Sequence, residues 1–497
     1  MNAKVIVIGA GGAGLTAAAA AAKAGADVTL ISKTSMGLAT CTAYSAGIFS
    51  LAEGSVSPDA HFKKTMETGK GANDPALVRV LTEEAEKSLR KIAAWGVQVR
   101  CSGNGRASAR MTAPNELMGG AGFTAELVRA AKKSGVRFRE WCVVTKIETC
   151  ENRVTGVRLT DWRSGKTHAI AADAVILAAG GGGQIYSRTD NPSRITGDGY
   201  ALAKTLGIER IDMEFVQFYP VGWADPALPA WMADAALVDY MRITDAEGRE
   251  FFKEALNEWG YKNGAEANLY ARDRCSVLMA QMERRGGAFA HLEDVADRMW
   301  QDDGLRYALT VDVRYVRDLK RPVRIAPLEH YMCGGIKIDA SCRTSVEGLF
   351  ACGESTGGVD GANRIGGNAL ANIVTFGLIA GKNAAQMSAR RKTIEDTEES
   401  PRREGTYAPR TLRAELQKHA WDAIGPIRTA KEIETFLDFL AEFRTKTLCV
   451  REPHDLLLAL EMPGLIETAE SVAKAALARK ESLGTHFRAD NEKNHAS

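Results

Sequence analysis

Hydrophobic and polar positions alternate between two periods along the chain. Lys4 to Ile8 (KVIVI) is a short apolar run, the pattern of a strand buried on both faces. A glycine-rich turn, the alanine-rich stretch "GAGLTAAAAAAKAG" and a second apolar run, "DVTLIS" at 27–32, follow at close spacing, which predicts a βαβ opening. Helices are expected from Asn73-Asp74-Pro75 to Trp95-Gly96, with proline in the first turn, and over about 123–134. Residues 143–178 predict a strand meander ending in "DAVILAA", before the glycine run 180–183. From about 220 to 330 aromatic and charged residues replace the glycine punctuation, which predicts an inserted domain. Between 345 and 387 the strand–turn–helix style returns. Residues 389–410 are charged and poor in large apolar groups, as a linker is, and 411–485 carries helical periodicity. The fold class is therefore α/β: a discontinuous Rossmann-like domain, an inserted α+β unit and a helical tail.

The stretch "MEFVQFYPVGW" (213–223) alternates as a strand, placing Met213, Phe215, Gln217 and Tyr219 on one face until Pro220 ends it. A face that starts apolar and ends in an amide and a phenol points at something polar.

The 497 residues exceed what one core serves, so two or three domains are expected. Composition is that of an ordinary globular protein, 45% hydrophobic and 25% charged, and the net charge of +2 argues against nucleic acid or a membrane surface as partner. No apolar run reaches the roughly 18 residues of a membrane helix. The N-terminus lacks the features of a signal peptide, so the cytoplasm is the expected compartment. Nine cysteines form no CxxC, which argues against zinc or an iron–sulfur cluster on this chain and for reduced, mostly buried thiols. Electrons passing through a cluster would require another subunit.

"GAGGAG" places Gly9, Gly11 and Gly14 between strand and helix: one for the turn, one for pyrophosphate approach, one for helix–strand packing. The helix N-terminus adds N–H groups and positive potential for phosphate. Ser32 and Lys33 stand where an NAD-binding acid would be, which weakens the case for NAD. The second glycine run suits a flavin dinucleotide. In "GESTGGVDGANRIGGNALANIVTFGLIAGKNAA", Asn368 is the expected N-cap of an apolar helix whose Ala369 and Leu370 N–H groups would face the flavin N1/O2 edge. Arg364 precedes it among glycines and apolar residues.

Five further motifs, "TGDG" (196–199), "DMEFVQFYP" (212–220), "ARDRCS" (271–276), "HYMCGGI" (330–336) and "GANRIGGN" (361–368), occur in an order and spacing that resemble the flavoprotein subunits of the fumarate reductase and succinate dehydrogenase family. "ARKESLGTHFRAD" extends the resemblance into the tail. It implies an FAD-binding domain (1–218 and 336–388), a capping domain (219–335), a linker (389–410) and a helical domain (411–497), with the family's long C-terminal domain missing. It places FAD contacts at Gly9, Ala10, Gly11, Gly12, Ala13, Gly14, Ser32, Lys33, Thr34, Thr40, Thr42, Ala46, Gly47, Val144, Ala179, Gly180, Asp198, Glu354, Asn368, Ala369 and Leu370. Some members attach FAD through a histidine; Thr40 stands there, so non-covalent FAD is expected.

The resemblance implies further that Arg272 transfers the proton while His330 and Arg364 grip a substrate carboxylate. Gripping the acid draws electron density from an adjacent C=C, so flavin N5 can deliver hydride to the β-carbon. Arginine is a poor acid in water and needs desolvation and neighbouring charge to act. Two departures stand out. Dicarboxylate-specific members read "QFHPTG", where Tyr219 replaces the histidine, and a Thr-Glu pair, where Ala233-Asp234 fall. Losing a charge-assisted contact costs roughly 1.5–3 kcal/mol. The expected substrate is an unsaturated acid whose far end is uncharged, an aromatic or hydroxylated group stacking near Tyr219 and Trp223; Gln217, Ala233 and Asp234 are expected to contact it, Ala233 offering no hydrogen bond and Asp234 repelling an anion. Competing readings are a plain fumarate reductase or succinate dehydrogenase flavoprotein, an aspartate-type oxidase, and an electron-transfer subunit without its own substrate. An iron–sulfur subunit is the candidate electron partner.

Overall fold

Five parallel strands form the nucleotide half, in the order Leu349–Ala351, Ala174–Leu177, Lys4–Ile8, Asp27–Ile31, Arg137–Arg139. These elements come from a computed structural model that describes residues 2–109, 119–388 and 404–491. All but the edge strand Arg137–Arg139 are buried almost throughout, which explains their apolar runs. Helix Gly12–Lys23 packs on helix Asn368–Ala385 so closely that a Cβ on Gly381 would lie 2.2 Å from the Ala17 carbonyl oxygen. Alanine and glycine dominate the first helix, and Gly377 and Gly381 face it from the second, because nothing larger fits between them.

The expected helices are present as Pro75–Ala93, capped by Asp74, and Gly120–Lys133. The meander is Cys142–Cys150, Arg153–Asp161 and Thr167–Ala171, all antiparallel. A separate antiparallel sheet orders its strands Met232–Ala233, Val216–Trp223, Pro322–Met332, Ala288–His291, Ile243–Asp245, and helix Arg272–Arg284 packs against it. Its apolar core, including Trp223, Ala233, Cys275 and Trp300, is distinct from that of the nucleotide half. The tail contributes helices Pro409–Ile424, Ala430–Phe443 and Pro453–Ala478. Of the expected linker, residues 389–403 lie outside the described residues, and Pro409 already begins a helix.

The strand in "MEFVQFYPVGW" differs from its pattern. It starts at Val216 and runs through Pro220 to Trp223. Pro220 is tolerated because the pairing with the neighbouring strand shifts between Tyr219 and Gly222, an irregularity at which a missing N–H breaks no ladder bond.

Candidate active site

The glycine-rich turn lines a cleft of about 860 Å³, together with Ala10, Ser32, Lys33, Thr34, Thr40, Thr42, Val144, Ala179, Gly180, Asp198 and Glu354. Its fit to a dinucleotide is legible in the glycines. A Cβ on Gly14 would lie 1.9 Å from the Gly9 carbonyl oxygen, whereas one on Gly11 would meet nothing nearer than 3.7 Å. Gly14 therefore lies in the packing beneath the cleft, outside its lining, and Gly11 leaves room for a ligand against the helix N-terminus.

Lys33 shares its ammonium between Asp198 (2.6 Å), Glu461 (2.9 Å) and the Thr196 hydroxyl (2.8 Å). Glu461, on the last long helix, is fully buried and also pairs with Arg194 at 3.1 Å and Arg413 at 3.5 Å. Three cations facing two carboxylates leave a positive excess at a cleft suited to phosphate. Arg194 lines that cleft and stands in no recognisable motif, because its cluster is assembled from four separate segments.

A second cleft of about 1190 Å³ opens where the nucleotide half meets the inserted sheet. Thr42, Ala46, Gly47, Glu354, Arg364, Ala369 and Leu370 come to it from the nucleotide half, and Arg272, His330 and Tyr219 from the inserted unit. Gly367 starts the helix behind Ala369 with φ +94, a conformation that costs glycine nothing. Asn368 is not the cap expected of it. It is the first helical residue, and its amide bonds His61 Nε2 (2.9 Å) and Thr65 Oγ1 (3.3 Å), away from both clefts. Glu354 is buried and accepts the Met332 N–H at 3.1 Å; burial pushes its carboxyl up to about 7.

Arg272 and Arg364 are 7% and 6% exposed, yet neither pairs with a carboxylate among the described residues. Both converge instead on the neutral Gln217 Oε1, Arg364 Nη2 at 3.0 Å and Arg272 Nη1 at 3.4 Å. Each stacks on a tyrosine, Arg272 on Tyr219 (4.6 Å) and Arg364 on Tyr331 (4.2 Å). The Nε of each guanidinium is buried without a hydrogen-bond partner. Two desolvated cations whose direct contacts are neutral acceptors and ring faces, with Asp360, Glu354 and Asp234 acting on them without forming an ion pair, make an anion site. His330 gives Nδ1 to Asp190 (2.7 Å), leaving Nε2 for a ligand; burial lowers its pKa against the pull of Asp190.

Gln217, Ala233, Asp234 and Trp223 do not line this cleft. Gln217 is fully buried behind the arginines, so it positions them rather than touching a substrate. Ala233 and Trp223 face the core of the inserted unit, and the Trp223 indole donates to the Leu309 carbonyl. The Tyr219 hydroxyl is already committed: it accepts from Asn268 Nδ2 at 2.9 Å and donates to Asp234 Oδ2 at 3.3 Å. Burial, reinforced by Asp234, raises its pKa far above the ordinary phenol value. Tyr219 therefore shows the cleft its ring, and Asp234 is sequestered behind it rather than repelling a ligand directly. Residues that the sequence does not single out, Tyr44, Arg106, Trp231, Leu269 and Tyr307, complete the cleft. They stand in no motif; only the fold brings them together.

A dinucleotide cleft that opens onto a buried anion site defines a flavin-dependent oxidoreductase. The "FAD binding domain" family model matches residues 4–370, and "Fumarate reductase flavoprotein C-term" matches residues 413–496. The second match falls on the helical domain expected at 411–497. One subunit of the CoM/CoB fumarate reductase of Methanothermobacter marburgensis is 30% identical, over 98% of this chain and 94% of its own. L-aspartate oxidase of Streptomyces coelicolor is 29% identical, over 98% and 89%. The E. coli quinol fumarate reductase chain FrdA superposes with a TM-score of 0.84 at 26% identity, covering 99% of this chain and 92% of that one. The chain belongs to the fumarate reductase/succinate dehydrogenase flavoprotein family and is an FAD-dependent oxidoreductase. No helix among the described residues is long and apolar enough to cross a membrane.

Proposed function

We propose that this protein interconverts a C=C bond and its saturated form next to a carboxylate, on a substrate that is not a dicarboxylate. The observation that carries this reading is the pair of buried arginines held by Gln217 without a carboxylate partner. FAD, when bound, supplies or accepts a hydride. Arg364 and His330 hold the substrate carboxylate, which pulls charge away from the adjacent double bond. Arg272 moves the proton at the α-carbon. The far end of the cleft offers Tyr219 as a ring with its hydroxyl engaged, so Tyr219 gives a second carboxylate no charge-assisted contact.

Non-covalent binding of FAD is supported by Thr40, which caps the short helix Cys41–Tyr44 where some members carry a histidine. We further propose a separate electron-carrying subunit, such as an iron–sulfur protein, and a cytoplasmic location. The deciding experiment is anaerobic reoxidation of the reduced flavin by a panel of unsaturated acids. Reoxidation by monocarboxylic enoates, with fumarate slower, is the expected result. Fumarate turnover at ordinary enzyme efficiency would return the protein to the dicarboxylate readings.

A further inference from the structure

We propose that the outer end of the second cleft is an aryl subsite, so that the substrate is a carboxylic acid bearing a flat aromatic group beyond the reacting carbons. This rests on the enoate reading above and specifies its substrate class. Among the described residues seven large apolar side chains are exposed, and three of them, Tyr44 (45%), Leu269 (41%) and Tyr307 (58%), line this one cleft. Apolar surface left in water and gathered in a concavity marks a ligand site more often than a structural defect.

The three come from separate elements. Tyr44 ends the short helix Cys41–Tyr44 of the nucleotide half, Leu269 lies on helix Gly264–Tyr270, and Tyr307 on helix Asp303–Leu309. Trp231 and Met232 add a half-buried indole and thioether. Tyr44 and Trp231 meet edge to face, with ring centroids 5.8 Å apart and planes at 80°, joining the two halves of the molecule across the cleft. Such a corner gives an inserted ring one face and one edge to contact, the arrangement that aromatic groups favour.

The phenol nearby offers no charge, while Arg106 is held by neutral acceptors, with no carboxylate partner among the described residues. Tyr219 and Asn268 bond one another and Asp234. Arg106, on the same cleft, donates to the Ser50 hydroxyl (2.9 Å) and the Gly366 carbonyl (2.7 Å). The inner end thus takes an anion and the outer end a ring.

The test uses the full-length holoenzyme, reduced with dithionite in an anaerobic stopped-flow, with (E)-cinnamate, crotonate and fumarate as oxidants. Flavin reoxidation by cinnamate should be at least tenfold faster per unit concentration than by crotonate. Trp231→Leu and the exposed Tyr307→Ala should each bring that ratio towards one. Crotonate or fumarate matching cinnamate in the unaltered protein would overturn the aryl subsite. A second readout is independent of turnover: 3-phenylpropionate should perturb the oxidised flavin spectrum, with tenfold weaker binding in both variants. If no enoate reoxidises the flavin but phenylpropionate binds in this way, the reaction assignment fails and the subsite stands. If phenylpropionate leaves the spectrum unchanged, or binds both variants as tightly, the subsite fails.

Discussion

Gln217 Oε1 lies 3.0 Å from Arg364 Nη2, and the same oxygen is the nearest acceptor that Arg272 has within the cleft wall. One neutral amide thereby orients two buried cations without neutralising either. Its own Nε2 is anchored by Asn363 Oδ1 (2.8 Å) and the Arg364 carbonyl (3.0 Å), which fixes which end of the amide faces the guanidiniums. Replacing Gln217 with leucine should cost about 1.5–3 kcal/mol of substrate binding, one to two decades in kcat/KM. Flavin content should be retained, and steady-state kinetics beside the flavin absorbance would check both.

Arg272→Ala should lower enoate turnover by about 10²–10⁴, the range for a proton donor. Dithionite should still reduce the flavin. Turnover surviving in this variant across the panel would favour an electron-transfer subunit without its own substrate.

Tyr219→His places an imidazole beside Asp234 at the far end of the cleft. The carboxylate that now accepts the phenol O–H would favour the imidazolium, which can pair with a second carboxylate. Fumarate kcat/KM should rise tenfold or more, from a charge-assisted contact of roughly 1.5–3 kcal/mol. An unchanged value would show that another group sets the selectivity.

Burial lowers the pKa of His330, with Arg364 and Arg272 acting in the same sense and Asp190 opposing. The free enzyme therefore holds it neutral at neutral pH. With Nδ1–H given to Asp190, neutral Nε2 has a lone pair and no proton to donate. A bound carboxylate favours the imidazolium, so binding takes up a proton and affinity should fall as pH rises between the free and bound pKa values. His330→Asn should flatten that slope, measured from Kd for 3-phenylpropionate between pH 5.5 and 8.5, a range chosen around the ordinary histidine pKa of about 6.5.

Glu354 has a folded-state pKa of about 7, raised from 4.5 by burial. A carboxyl shifted upwards favours its neutral form in the fold. The apoprotein should therefore lose stability as pH rises from about 4.5 to 7 and lose no more from this group above that. Glu354→Gln should remove this component. Melting curves of both apoproteins across the interval would show the difference, with Asp360 and Asp212, each near 6, common to the two.

The nucleotide half is legible in the sequence because its signals are local. An unbroken apolar run, a glycine turn and an alanine helix each depend on neighbours in sequence, and they emerge as Lys4–Ile8 and Gly12–Lys23. The outer cleft is not, since Tyr44, Trp231 and Tyr307 lie in three segments joined only by folding. Tyr219 illustrates the boundary between the two. Its identity is a departure from a motif and is visible, but the direction of its hydroxyl depends on Asn268 and Asp234, 49 and 15 residues away. Asn368 departs from its expected role for a similar reason: a good capping residue is claimed instead by His61 and Thr65, 307 and 303 residues distant.

The order of strands in the nucleotide sheet has a bearing on how the protein is made. Lys4–Ile8 sits in its centre, but the edge strand Leu349–Ala351 is translated more than 340 residues later, and helix Asn368–Ala385 later still. A nascent chain emerging from the ribosome carries four of the five strands, with the Ala174–Leu177 edge open, while the whole inserted unit is synthesised. That unit has its own apolar core and can settle first. Glu354, Ala369 and Leu370, which line the two clefts, are made after that unit, so the cofactor cleft is complete only late in synthesis.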